Sequence, residues 1–318
     1  MRKLILHSIL LLSVFCISSC NYLDVDKWFD DTMKYDSIFS RKEYLERYMW
    51  NVASMFPDEG NFLNNPATPG PLATDEAFET FNAGTYAGMA FATGSINEEN
   101  ISGKTIYQWN KMYKIIRKAN IILSRMDEVT DMSNLEKPDI WAYTYFMRAY
   151  AYYHLIMDFG PVILVGDQVY PSNEQPEAYA NVRATYDESV DYACEQFELA
   201  AQYLPETQPN SSFGRPTKGA AYALIARLRL IQASPLYNGR GQTYFGNWKR
   251  SSDGVFYISQ QYDDRKWAVA AAACERVMDM GRYELHTVPA DKDSYVPPTN
   301  EDQAFPNGVG GIDPLKSY

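Results

Sequence analysis

The amino-acid sequence predicts an all-α protein, a tetratricopeptide-like superhelix of paired helices with long irregular loops and a small β-hairpin. Apolar residues recur at helical spacing in several segments, each about fifteen to twenty residues long. No strands alternate with these helices as they would in a nucleotide-binding sheet. The segments are rich in alanine and aromatic residues, which suits helices that stack in pairs. Because the helix starts follow no strict period, insertions must interrupt any repeat.

The first two helices are predicted from their spacing and end signals. Ser40–Phe56 opens with a capping box, Ser40 and Glu43, whose side chains can satisfy the first free amides of the helix, and Pro57 ends it. Ile106–Met126 repeats the apolar spacing without such a signal at its start.

A third helix, from Pro138 to Asp158, is predicted to be central. It carries few charged residues, so it is apolar nearly all round and must be covered on several sides. Gly160 and Pro161 follow and stop it.

Three further helices follow. Thr185 and Glu188 form a second capping box, and Thr217 caps the next helix, whose alanines leave room for a close neighbour. The last helix runs from Asp264 to Gly281. Its predicted inward stripe consists of Trp267, Ala271, Cys274 and Met278.

Two insertions between helices are long enough to carry function. Pro57–Thr105 is rich in Pro, Gly, Asn and Thr, and loops of this length are usually functional or disordered. Pro235–Asp263 is the other insertion. Within it, Asp253-Gly254 between Trp248 and Tyr257 indicates the β-hairpin.

Composition and charge restrict the partners of this 318-residue chain. With 46% hydrophobic and 22% charged residues it can bury a sizeable core, which excludes a disordered tail and an integral membrane protein. Its formal net charge is −11. Nucleic acid and anionic lipid both attract basic surfaces, so neither is an expected electrostatic partner.

Residues 1–19 have the pattern of a cleaved export leader. Arg2 and Lys3 precede an apolar run over 4–17, which is too short to cross about 30 Å of hydrocarbon as a helix. Small residues then lead to Cys20, which resembles a bacterial lipobox, where the cysteine is lipidated and begins the mature chain. An ordinary signal peptide with a chance cysteine is the alternative. The lipid would be the only attachment to a membrane.

Residue types that carry catalysis or bind metal are sparse. Beyond the leader the histidines are His154 and His286, and no H-E-x-x-H or paired C-x-x-C motif occurs, so neither a metal nor a cofactor is expected. Motifs of serine acyl transfer are also missing. His154 is interpreted as a core residue, and the protein is predicted not to be an enzyme. Cys194 and Cys274 lie on apolar stripes, which favours buried free thiols over one disulfide.

The two long loops combine aromatic rings with amides, a mixture that holds sugars by stacking and by hydrogen bonds to hydroxyls. For each of these residues, a role in pinning the loop to the scaffold stands beside a role in binding. The candidate ligand-binding residues are Phe81, Asn82 and Tyr86 in the first loop, and Tyr237, Asn238 and Trp248 in the second.

Five short stretches in a fixed order carry a resemblance to a known family. They are Ala73–Glu76, Trp109-x-x-x-Tyr113-x-x-Ile116-x-x-Ala119-Asn120, Arg148–Leu155 leading to Phe159–Val162, Gly214–Ala221 and Gly281–Leu285. On these residues the chain resembles the SusD/RagB family of outer-membrane nutrient-binding lipoproteins of Bacteroidetes, whose partner is a SusC-type TonB-dependent transporter.

The resemblance implies a lipid-anchored, surface-exposed protein of the outer membrane that captures oligosaccharide and delivers it to the transporter as a lid. It implies a leader over 1–19, a tether over 20–39 and a helical domain over 40–318, incomplete at its C-terminal end. Peptide or glycoprotein ligands, as on the RagB side of the family, and a structural scaffold are the alternatives. Asp75-Glu76, a family-wide feature, is expected to hold loop backbone at least as readily as to bind ligand. Asn120 and Arg148 are expected to satisfy buried polar groups and not to touch ligand.

Overall fold

The computed structural model describes residues 35–58, 70–77, 90–91, 93–97, 99, 107–171 and 174–285. Over these residues the protein is helical and forms no extended strand, which confirms the all-α class. The α-helices are α1 (Lys42–Ala53), α2 (Trp109–Arg125), α3 (Lys137–Phe159), α4 (Tyr186–Tyr203), α5 (Lys218–Ala233), the short α6 (Gly241–Phe245) and α7 (Arg265–Met278).

Helix α3 occupies the centre of the bundle. It packs against α2 on one side and α4 on another, and it also touches α1 and α5. This arrangement confirms the central position predicted from its apolar surface. Gly160 ends the helix with φ +71°, a left-handed conformation that side-chain-bearing residues rarely adopt.

Two of the three predicted helix caps are present. The Thr185 hydroxyl accepts from the Glu188 amide at 3.2 Å, and the Glu188 carboxylate accepts from the Thr185 amide at 2.7 Å. Thr217 accepts from the Ala220 amide at 3.2 Å. Local sequence therefore determines where α4 and α5 begin.

The predicted capping box at Ser40 is wrong. A 3-10 turn over Tyr35–Ser40 precedes α1, and the Ser40 hydroxyl donates to the Ser37 carbonyl at 2.7 Å instead of capping the helix. The first free amide of α1, that of Lys42, donates to the Asp131 carboxylate at 2.7 Å. Asp131, a residue far along the chain, therefore caps the helix in place of Ser40.

The predicted inward stripe of α7 is also wrong. Ala270 is buried, whereas Trp267 is 40% and Met278 73% exposed. Helix α7 packs on α5, and Ala270 and the half-buried Ala273 are its small residues that face inward, where small side chains let two helices approach closely. Cys194 is buried, Cys274 is half-buried and both thiols are free, so the disulfide alternative is wrong.

The predicted hairpin turn is present, but only one antiparallel bridge, between Lys249 and Phe256, forms next to it. Gly254 adopts φ +73°, and the Arg250 amide donates to the Val255 carbonyl at 2.8 Å. The turn signal was correct, and the flanking residues are too few to extend a ladder.

Candidate functional site

Some of the predicted site residues lie outside the described residues. These are the lipidation candidate Cys20 and the first-loop candidates Phe81, Asn82 and Tyr86. Their roles stay predictions. Asp75 and Glu76 are described, and both side chains are exposed.

Tyr237 and Asn238 face the scaffold. The Tyr237 ring stacks on Tyr186 with centroids 3.8 Å apart and planes 3° from parallel. Asn238 is only 2% exposed; its amide nitrogen donates to the Asp263 carbonyl at 2.8 Å, and its oxygen accepts from the Asp263 amide at 2.7 Å. These contacts tie the end of α5 to the start of α7, as the loop-pinning interpretation expects.

Trp248 is the most accessible of the described candidates, with 36% of its surface exposed. Its ring contacts Tyr257 at 5.0 Å and Phe245 at 6.1 Å between centroids. An indole held on one side and open on the other can offer a flat apolar surface to a ligand.

A more complete site lies elsewhere, in an open cleft of about 420 Å³ between α2 and the loop that follows α3. We call it the α2 cleft. One wall is a single face of α2, and the other is the loop and the 3-10 turn before α4. The helix wall consists of Trp109, Asn110, Tyr113, Lys114 and Arg117, and the loop wall of Ile163, Val165, Tyr170, Tyr179 and Asn181.

Aromatic packing fixes the helix wall. Trp109 meets Phe159 edge to face at 5.1 Å, and the Arg183 guanidinium lies 4.7 Å from its ring centre. The Tyr113 hydroxyl donates to the Ile163 carbonyl at 2.9 Å and accepts from the Ile163 amide at 2.8 Å. Burial raises the pKa of this phenol. Tyr113 therefore joins the two walls directly.

A buried polar cluster holds the loop wall from below. The Asn120 amide donates to the carbonyls of Gly166 and Gln168, both at 2.9 Å. Arg148, 2% exposed, donates to the Asn120 oxygen at 2.8 Å and to Asp167 at 2.6 Å. The expectation that Asn120 and Arg148 satisfy buried polar groups is confirmed.

The far end of the loop wall is organised by its own side chains. The Tyr179 hydroxyl donates to the Pro171 carbonyl and accepts from the Glu174 amide at 3.0 Å. The Asn181 amide donates to the Tyr170 hydroxyl at 3.0 Å. The tyrosines are therefore fixed in place, while Asn181 itself is exposed at the cleft.

The α2 cleft is positively charged. Lys114 and Arg117 line it, no Asp or Glu does, and neither cation forms an ion pair with a residue of the described ranges. Arg117 also contributes to lowering the pKa of Lys118, after the larger effect of burial. Cations therefore cluster on this helix face of an acidic chain.

A second cavity, of about 320 Å³, lies between α4, α5 and α7 and has a different character. Both of its arginines are already paired, Arg276 with Glu198 and Arg229 with Asp191, which lies outside the lining. Arg276 also lies 3.8 Å over the Tyr222 ring. Burial raises the pKa of the Cys194 thiol to about 12. This cavity is a junction of three helices whose two lining cations are already matched by carboxylates.

No group of three potential metal ligands occurs in the described part of the chain. His154 is buried at 6% exposure, and burial lowers its pKa to about 4. Its ring packs against Tyr150 at 4.5 Å and Phe56 at 6.0 Å. Histidine held neutral among aromatic rings fits a core position, as predicted.

Sequence reasoning missed the α2 cleft. The sequence identifies Trp109 and Tyr113 only as motif residues, and no pattern in it distinguishes Tyr170, Tyr179 and Asn181. The available signal was Lys114 and Arg117, two cations three positions apart on one helix face of an acidic chain.

The paired helices and the open cleft define a helical-repeat scaffold with a surface site of the kind that binds ligands. A family model described as starch-binding and associating with the outer membrane matches residues 21–230. The chain belongs to this SusD-like family of Bacteroidetes.

Individual relatives agree with this assignment. A SusD-like protein of Bacteroides ovatus is 24% identical over 201 residues, 60% of this chain and 32% of that protein. SusD-like protein P2 of Formosa agariphila is 29% identical over 124 residues, 39% of this chain and 23% of its own length. The chain therefore spans a third or less of the length of these relatives.

Solved structures share the fold. The structure of BT4246 is 25% identical and superimposes with a TM-score of 0.65, covering 76% of this chain and 40% of that one. A SusD homolog from Bacteroides thetaiotaomicron, 18% identical, gives a TM-score of 0.52 over 78% of this chain and 42% of its own. Among the helices described here, none is long and apolar enough to cross a bilayer.

Proposed function

We propose that this protein binds oligosaccharide without transforming it and delivers it to a SusC-type TonB-dependent transporter of the outer membrane. The observation that carries the proposal is the α2 cleft, an open site lined by rings and amides on a scaffold whose family is described as starch-binding. In this proposal a lipid on Cys20 holds the protein at the cell surface.

The cleft has the chemistry that sugar recognition needs. Sugar rings present apolar C–H faces to aromatic planes, and Tyr170 and Tyr179 offer such planes. The amides of Asn110 and Asn181 lie at its two walls and can exchange hydrogen bonds with hydroxyl groups. In the second insertion, Trp248 offers a further exposed ring, while Tyr237 and Asn238 face inward.

Isothermal titration against a panel of neutral and charged oligosaccharides tests the binding. We expect at least one glycan to bind, and Asn181→Ala to weaken it with little loss of stability, because Asn181 is exposed. Silence with every glycan but tight binding to peptides would overturn the carbohydrate proposal. New reducing ends after incubation with polysaccharide would overturn the non-enzymatic part.

Delivery and anchoring need separate tests. Gentle detergent extracts of the native cell should contain the protein together with a large outer-membrane barrel, and Cys20→Ala should release it from the membrane. An extract without the barrel would contradict the delivery role. Mass spectrometry that finds an unmodified Cys20 in the mature protein would contradict the lipid anchor.

A further inference from the structure

We infer that the α2 cleft selects oligosaccharides that carry negatively charged substituents, carboxylate or sulfate, and that Lys114 and Arg117 bind the charged group. The inference rests on the proposed function and specifies its substrate class. It is carried by a juxtaposition of two features: two cations without an ion-pair partner among the described residues, and a cleft wall of rings and amides.

The first step is the contrast with those cations of the chain whose charge is already matched by a carboxylate. Arg148, Arg229, Arg250, Arg276 and Arg282 each have a carboxylate partner. Lys114 and Arg117 have none among the described residues, although the chain contains 40 Asp and Glu against 29 Lys and Arg. Because no Asp or Glu of the described residues lines the cleft, these two cations give it a local excess of positive charge in an acidic chain.

The second step is geometry. Residues three apart on a helix have Cβ atoms about 5–6 Å apart and share one face. Lys114 and Arg117 can therefore contact the same anionic group. The guanidinium of Arg117 is a planar fork that matches two oxygens of a carboxylate or sulfate, while the Lys114 ammonium adds a compact charge.

The third step concerns the net negative charge of the rest of the molecule. At physiological ionic strength, charges more than about 8 Å apart in solvent are largely screened. The net charge of −11 therefore does not prevent an anionic sugar from binding where the nearby groups are cations. The rings of Tyr170 and Tyr179 line one wall of the cleft, and apolar surface beside a charged contact lowers the local dielectric constant and strengthens that contact.

Titrations of the whole protein with three oligosaccharides of similar length test the inference: an oligogalacturonate for carboxylate, a carrageenan fragment for sulfate, and a malto-oligosaccharide as the neutral member. We expect at least one anionic sugar to bind tenfold or more tightly than the neutral one. The double variant Lys114→Gln/Arg117→Gln should lose about tenfold affinity for it, since one tenfold step corresponds to about 1.4 kcal/mol. The carboxylate and sulfate arms identify which group is preferred.

A matched control removes the same two charges elsewhere. Arg41 and Arg240 are exposed and line neither cavity, so Arg41→Gln/Arg240→Gln should leave affinity within about twofold. Raising the salt concentration should weaken anionic binding to the wild type more than to the cleft variant.

The outcomes separate the two proposals. Equal or tighter binding of the neutral sugar, or an anionic affinity that the cleft variant does not change, overturns the charge selectivity and leaves glycan binding standing. Failure of all three sugars and of the wider panel overturns both. An equal loss in the control variant would show that overall charge, and not the cleft, governs binding, and would also overturn the inference.

Discussion

Two arginines on adjacent helices lie near the loop that follows α3 and have different roles there. Arg148 on α3 is buried and bonded through its guanidinium to Asn120, Asp167 and Gln196. Arg117 on α2 is half-buried, lines the cleft and has no ion pair in the described part of the chain. The comparison separates a cation that builds the wall of a site from one that remains available to a ligand.

The largest expected effect on stability comes from replacing Arg148, the buried arginine of the two. Arg148→Ala should lower the free energy of unfolding by about 3 kcal/mol or more, because the oxygens of Asn120 and Gln196 are left without their donor in the core. Urea unfolding monitored by circular dichroism measures the loss. Arg148→Lys keeps the charge and should recover part of it. A loss below about 1 kcal/mol in Arg148→Ala would contradict a structural role.

Lowering the pH should reduce the stability that the aromatic core around His154 contributes, and should not act through the α2 cleft. The pKa of His154 is lowered to about 4 by burial, so the unfolded chain binds a proton more readily than the folded one below the usual histidine pKa of about 6.5. Stability from this residue is present above about pH 6.5 and is lost as the pH falls toward 4, by at most about 3 kcal/mol. Unfolding midpoints at several pH values measure this. In His154→Gln the dependence should flatten between pH 6.5 and 4; an unchanged slope would contradict the assignment.

Removing the support that Asn120 gives to the loop wall should lower both the stability and the glycan affinity, with a smaller loss of stability than at Arg148. Asn120→Ala removes the donors to the Gly166 and Gln168 carbonyls and should cost about 2 kcal/mol. It should also weaken glycan binding although Asn120 does not line the cleft, because the wall loses its position. Calorimetry at a temperature where the variant is fully folded measures the affinity. A destabilised variant with unchanged affinity would show that the loop wall plays no part in binding.

The smallest expected effect on stability is at the cleft itself. Lys114→Gln/Arg117→Gln should change the free energy of unfolding by less than about 0.5 kcal/mol, because neither side chain has an ion-pair partner among the described residues. Thermal unfolding of wild type and variant side by side gives the difference. A large loss would place these cations with Arg148 as structural residues and would remove the contrast between the two arginines.

Features set by neighbouring residues could be predicted from the sequence, and features set by distant residues could not. The caps at Thr185 and Thr217 and the central position of α3 follow from local patterns, and they are present. The cap of α1 comes instead from Asp131, and α7 buries Ala270 and leaves Trp267 and Met278 exposed. Both depend on partners distant in sequence, which periodicity does not specify.

The candidate site was harder to predict for the same physical reason. The α2 cleft forms because Tyr113 and Asn120 on α2 capture the backbone of a loop that lies after α3. The sequence identified these residues as motif members but not the loop that they hold. Composition instead favours the long insertions, where Asn238 and Tyr237 bond to and stack on the scaffold.

The most direct test of the central claim is an NMR titration with a bound oligosaccharide, following backbone amides at the two cavities. Glycan binding at the α2 cleft predicts that signals of Asn110–Arg117 and of Tyr179–Asn181 shift together, while those of Glu198 and Arg276 at the helix junction stay in place. Shifts confined to the region around Trp248, or to the helix junction, would contradict it.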